Sequence, residues 1–138
     1  MQISRNPAVL AAKLEADRSE IAAAITAERD RRIAAGFTHN GVNYDFDEAS
    51  KSRITGAATL AGFALSSGAL AGDLLWHGGT QPFVWVAADN SLVSMDAQTC
   101  FAFGQAAAAH ETRHIFWARA LKDADPIPED FTNDIHWQ

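Results

Sequence analysis

Cysteine is nearly absent from this chain. Cys100 stands alone, which excludes an internal disulfide framework and any cysteine-rich zinc site. Long hydrophobic runs are missing too, and none approaches the roughly 20 residues that a membrane span needs. The opening Met1-Gln2-Ile3-Ser4-Arg5 lacks the apolar stretch of a secretory signal. These absences predict a soluble protein made in the cytoplasm. Positive charge is also scarce, since eleven Lys+Arg face seventeen Asp+Glu for a net charge of -6. That balance argues against bulk nucleic-acid binding, which needs clustered cations to neutralise phosphates. Neither a glycine-rich phosphate loop nor a nucleophile elbow is present. Gly78-Gly79 opens a turn with no helix directly after it, and Ser66-Ser67 falls inside a helical segment.

What is abundant is alanine, with 28 in 138 residues. Alanine is the best helix former and lets helices approach closely, so the composition predicts mostly helical structure. The length suffices for one domain with a core of its own. Acid is concentrated at the end. Asp123, Asp125, Glu129, Asp130 and Asp134 meet no Lys or Arg, so the body upstream is nearly neutral.

Local signals divide the chain. Asn6 is a good N-cap, Pro7 suits the first helical position and Gly36 is a natural stop, predicting a helix over 6–35. Its thin apolar stripe is Leu10, Leu14, Ile21, Ile25 and Ile33. Such a stripe suits either a solvated helix docked along one edge or a self-associating one. Asn40-Gly41 is the preferred type I′ turn pair and sets a hairpin over 36–46, with Phe37 opposite Tyr44 and His39 opposite Val42. Asp47 caps a second helix over 47–71, in which Gly56 and Gly62 suggest close helix packing. A mobile turn begins at Gly78-Gly79. Residues 82–95 read as a second hairpin turning at Asp89-Asn90-Ser91. Asp96 caps a third helix over 96–124, and Pro126 and Pro128 end regular structure. Residues 1–124 are thus expected as a single helical domain. Residues 125–138 are expected as an acidic, proline-containing arm. In it Phe131, Ile135 and Trp137 are either anchors for a partner surface or part of a disordered terminus. Deleting Glu129 to Gln138 should leave the melting temperature nearly unchanged but weaken partner association. The fold class is α+β, mostly α, with three long helices, two inserted β-hairpins and an extended C-terminal arm.

One motif carries chemistry. His110-Glu111-Thr112-Arg113-His114 matches H-E-x-x-H on a predicted helix, where imidazoles four apart share a face. They could ligate one zinc, with Glu111 as general base toward a metal-bound water. Against this, Arg113 puts a permanent cation directly before the second ligand. The downstream third ligands, Glu129, Asp130 and His136, sit in the proline-interrupted tail. The two histidines also fall on the stripe Phe103, Ala107, His110, His114, Trp117, Leu121, as residues of a helix-packing seam do. Cys100, among Phe101 and Phe103, reads as an inert buried thiol. Asp45 and Asp47 read as turn and cap residues. No cofactor is expected, and a metal only in the zinc alternative.

Arg29-Asp30-Arg31-Arg32-Ile33-Ala34-Ala35-Gly36-Phe37, Asn40-Gly41-Val42 and Asp47-Glu48-Ala49-Ser50 resemble a family of phage-tail domains of unknown function. So do Ile54-Thr55-Gly56-Ala57-Ala58, Trp85-Val86-Ala87-Ala88-Asp89-Asn90, Gly104-Gln105-Ala106-Ala107-Ala108 and Ala118-Arg119-Ala120-Leu121-Lys122-Asp123. The likeness spans residues 28 to 124. Its members occur in bacteriophages and prophages among tail and tail-fibre genes. The resemblance implies a non-enzymatic structural or adaptor protein at the tail tip or fibre, found in the virion and made in the host cytoplasm. Its partners would be other phage tail proteins and further copies of itself, a homotrimer by preference, with no nucleic acid and no membrane. A tail-fibre assembly chaperone absent from the virion is the alternative, and a zinc-dependent hydrolase the lesser one. The resemblance brings no catalytic residues. A histidine near position 110 fits the family pattern, whereas Glu111 with His114 is particular to this chain.

Overall fold

The computed structural model describes residues 6–138. Met1 to Arg5, read above for a signal sequence, lie outside the described residues. The elements run in the order α1 (Pro7–Ala34), β1 (Phe37–His39), β2 (Val42–Tyr44), α2 (Glu48–Ser66), β3 (Val84–Val86), β4 (Leu92–Ser94) and α3 (Ala97–Asp123). A 3-10 turn, Asp134–His136, closes the order. The strands form two separate antiparallel pairs, so the fold is α+β and mostly helical.

The helix ends follow from local chemistry. At the start of α1 the Asn6 carboxamide oxygen accepts the Ala8 N–H at 2.9 Å, with Pro7 in the first turn. Its stop at Gly36 is steric, because Gly36 has φ +104 and a Cβ there would overlap the Tyr44 carbonyl oxygen. Asp47 precedes α2 in extended conformation, and its carbonyl accepts the Lys51 N–H at 2.8 Å. α2 stops at Ser66 and does not run on to 71. Gly68 takes a positive φ, the Gly68 N–H donates to Leu65 and the Ala69 N–H donates to Ala64 at 2.9 Å. That paired geometry is a Schellman cap. Asp96 holds the start of α3, accepting the Thr99 N–H at 2.7 Å and the Gly72 N–H at 2.9 Å. A hydrogen bond from the Thr99 side chain, with those from the Gly72 and Thr99 N–H groups, holds its carboxyl below the usual carboxylate range.

The first hairpin has the expected register, Phe37 with Tyr44 and His39 with Val42, and Asn40 and Gly41 both have positive φ. In the second, Val84 faces Ser94 and Val86 faces Leu92, and Asp89 accepts the Ser91 N–H and hydroxyl.

Two compact units are distinguished within the chain. Arg32–Arg113 forms one compact unit, and the described residues up to Arg31 form another with His114–Gln138. The first buries Phe37, Tyr44, Phe46, Ile54, Met95, Cys100 and Phe103. Its two hairpins are joined by the Ala88 N–H donating to the Asn43 carbonyl at 2.9 Å. Within it α2 meets α3 at Gly104, where a Cβ would overlap that of Ala58. The close approach therefore falls there and not at Gly56, where a Cβ would meet nothing within 4 Å.

The second unit has its own core of Ile25, Ala118, Leu121 and Trp137, packed by Trp117, Ile127 and Phe131. Here the expectation of an extended arm is overturned. Trp137 is only 5% exposed, and its indole N–H donates to the Phe131 carbonyl at 2.7 Å. Asn133 caps the short turn by accepting the Ile135 N–H at 3.0 Å. The physical reason is that the aromatics among the acids have a helical seam, Ala118 and Leu121, to cover. Leu10 and Leu14 of α1 stay uncovered at 43% and 69% exposed, whereas Ile25 further along the same stripe is fully buried.

A tail that belongs to a core must contribute stability. Trp137→Ala should lower the unfolding free energy by about 3 kcal/mol, read from urea denaturation followed by circular dichroism. An unchanged midpoint would restore the tail to the status of an independent arm.

Candidate functional site

The H-E-x-x-H residues are engaged one by one. In the unit Arg32–Arg113, His110 is 6% exposed, and its Nε2 lies 3.0 Å from the Ile33 carbonyl oxygen. A carbonyl only accepts, so that nitrogen carries the proton and donates. The ring stacks on Phe37 at 5.7 Å and meets the edge of Phe46 at 5.5 Å. Glu111 next to it is held by Lys51, with Nζ to Oε2 at 2.7 Å and to Oε1 at 2.9 Å. Hydrogen bonding to Glu111 raises the Lys51 ammonium above its ordinary value.

In the other unit, His114 lies between indoles, 5.0 Å from Trp117 and stacked on Trp137 at 6.1 Å. Of the tail ligands considered for zinc, His136 and Asp130 pair with each other, Nε2 to Oδ1, at 2.9 Å. Among the described residues no group of three or more His, Cys, Asp or Glu side chains is placed to hold a metal ion. The motif residues thus act as packing and pairing groups. Cys100 is fully buried, and burial pushes its thiol up to about 11, so at neutral pH it stays protonated and inert.

Of the proposed partner anchors, Trp137 faces inward, Phe131 is half-buried against the same core, and Ile135 alone is well exposed, at 63%. A cleft of about 240 Å³ between α2 and α3 is lined by Ile54, Thr55, Ala107, Ala108 and the Lys51–Glu111 pair. That pair neutralises the one charged corner, leaving no unpaired acid or base there to move a proton.

The more informative surface is the outward side of α2 and its border with α3. Leu60 is 60% exposed, Phe63 68% and Phe101 40%. Gly62 lies beneath the Phe101 ring, which a Cβ would touch at 3.5 Å. Leu60 and Phe63 flank the inward residues Ile54 and Ala61 of α2, so hydrophobicity alone does not tell them from core. A usable signal was present. Residues 54–72 and 97–109 contain no Asp, Glu, Lys or Arg. A solvent-facing helix normally carries charge on its outer side, and these helical stretches carry none.

No helix among the described residues is long and apolar enough to cross a membrane. The α+β, mostly helical architecture and these surfaces define the class of the chain. It belongs to the family described as a domain of unknown function (DUF4376), whose model matches residues 16–135. No curated protein and no solved structure matches the chain.

The pairing of each motif residue has a direct consequence. After dialysis against micromolar zinc, elemental analysis of the purified protein should find well under one zinc per chain. One tightly retained zinc, lost in His110→Ala, would show that the imidazole leaves Ile33 to bind metal.

Proposed function

We propose that this chain is a non-catalytic assembly module, a small structural or adaptor subunit at the tail tip or tail fibre of a bacteriophage. One observation carries the assembly part of the reading. The outer face of α2 places Leu60 and Phe63 in solvent within a stretch that lacks any charge. Exposed apolar surface of this kind marks protein interaction sites, because covering it recovers the hydrophobic free energy that the lone chain forgoes. The tail setting comes from the resemblance of residues 28 to 124 to phage-tail domains, and it is fold-level context more than site chemistry. On this reading the protein is made in the host cytoplasm and carried in the virion. Its partners are other tail proteins and copies of itself, with a trimer suited to threefold fibres. The zinc-hydrolase reading loses support because His110, Glu111 and His114 are already committed to Ile33, Lys51 and the indoles of Trp117 and Trp137.

Mass spectrometry of purified phage particles from a lysogen that encodes this chain tests the proposal. Stoichiometric peptides from the particle are the expected result. Abundant protein in the lysate with none in the particle would overturn the structural role in favour of an assembly chaperone.

A further inference from the structure

One wall of a second cleft in the unit Arg32–Arg113 is built from five successive residues, Val84 to Ala88. Side chains alternate across a strand, so what successive residues share is their main-chain edge. The exposures agree. Val84 and Val86 are 39% and 52% exposed, while Trp85 between them turns inward to Phe103 at 5.2 Å. The bonds of the hairpin show what that edge offers. The Met95 N–H donates to the Phe83 carbonyl at 3.1 Å, and the Ala87 N–H donates to the Ser91 carbonyl at 2.8 Å. Bonded and non-bonded pairs alternate along an antiparallel ladder. Trp85 therefore bonds Val93, and the N–H and C=O groups of Val84 and Val86 face away from β4. The next donor on that side, the Ala88 N–H, reaches the Asn43 carbonyl at 2.9 Å. Among the described residues no backbone group takes up the outward groups of Val84 and Val86.

We infer that this cleft binds an extended peptide segment of a partner protein, which adds a strand to the open edge of β3 and sets an acidic side chain against Arg53. Three observations select that occupant. The first is the main chain. Alternating N–H and C=O groups on a free edge are complementary to an extended backbone, and strand addition takes its affinity from them. Free edges are usually blunted by a charge, a proline or a bulge, and Val84–Val86 has none of these. The second is size. A residue in a sheet fills roughly 3.3 by 4.8 by 10 Å, or about 160 Å³. The cleft of about 420 Å³ thus has room for a single short strand alongside β3, and not for the two-stranded sheet of a second copy. The third is charge. The remaining lining is Asp45, Ser50, Arg53 and Asn90, with Ser50 and Arg53 near the start of α2. Arg53 is exposed and makes no ion pair among the described residues, so its guanidinium is open to a carboxylate. Asp45 at the same cleft repels a run of acids, which selects a segment with a single acid. This cleft is distinct from the outer face of α2, and the inference does not rest on the tail assignment.

A short fluorescein-labelled peptide of alternating Thr and Val with one central Glu is the probe, titrated into the full chain. Binding is followed by fluorescence anisotropy and by amide hydrogen exchange in nuclear magnetic resonance. Saturable binding is expected, with slower exchange at the Val84 and Val86 amides and no change at Trp85, whose N–H already bonds β4. Replacing the peptide's Glu by Lys should weaken binding about tenfold, as should Arg53→Glu on the protein. Combining the Lys peptide with Arg53→Glu should restore it, which a merely structural role for Arg53 would not do. Val86→Pro removes an outward N–H without touching the bonds to β4, and should abolish binding with unchanged circular dichroism. Phe63→Asp, on the outer face of α2, should leave peptide affinity as it was. Absence of saturable binding would overturn the inference, and so would binding indifferent to both Arg53→Glu and Val86→Pro. Protection of Val84 and Val86 that grows with protein concentration in the absence of peptide would overturn it in favour of a second copy as the occupant. Peptide affinity is read without phage particles, so failure here and failure of the tail assignment are distinguished.

Discussion

Phe103 is the contact on which the hairpin unit depends. Its ring is fully buried and lies 4.6 Å from Tyr44, 5.2 Å from Trp85 and 5.7 Å from Phe37. Tyr44 and Phe37 belong to the first hairpin and Trp85 to the second. Strands of three residues do not persist alone in water, because an isolated two-stranded hairpin is at best marginal. Seating both hairpins on one aromatic ring of α3 gives them a common core. His110, two turns further along α3, extends the same aromatic layer onto Phe37 and Phe46 and ties it to the end of α1 through the Ile33 carbonyl. A histidine in this position works as a polar aromatic, which is why a metalloprotease-like pattern coexists with an ordinary packing role.

Much of this was legible in the residues. Asn6-Pro7 and Asp96 mark helix starts by side-chain caps local in sequence, Asp47 precedes α2 without a side-chain cap bond, and Asn40-Gly41 sets a register that any chain with that turn adopts. The stripe from Phe103 to Leu121 named the inward face of α3 correctly. What failed was non-local. Trp137 looked like an anchor for another protein because Pro126, Pro128 and the surrounding acids erase periodicity, and nothing nearby reveals that Ala118 and Leu121 form its partner surface. The end of α2 was read too late, because Gly68 counts as a weak helix residue until it adopts a positive φ. The tight packing at Gly104 was invisible without knowing that Ala58 lies opposite.

The candidate surface was hidden for a related reason. Hydrophobic periodicity reports that α2 has apolar positions on several sides, but it does not say which side the chain itself covers. Once Ile54 and Ala61 are seen to point inward, Leu60 and Phe63 need another explanation. The missing charge over residues 54–72 and 97–109 supplies it. The ionisable residues that suggested catalysis are spent on Lys51, on Ile33 and on indole rings, while Leu60 and Phe63 face solvent.

On the proposed reading, Leu60 and Phe63 are covered in an assembly and not in the single chain. The most direct measurement is the native mass of the untagged wild type beside Phe63→Asp, at neutral pH and equal concentration. The account predicts a wild type larger than one chain and a variant reduced to one chain with the same helical content. A wild type that stays monomeric at high micromolar concentration, indistinguishable from the variant, would contradict it.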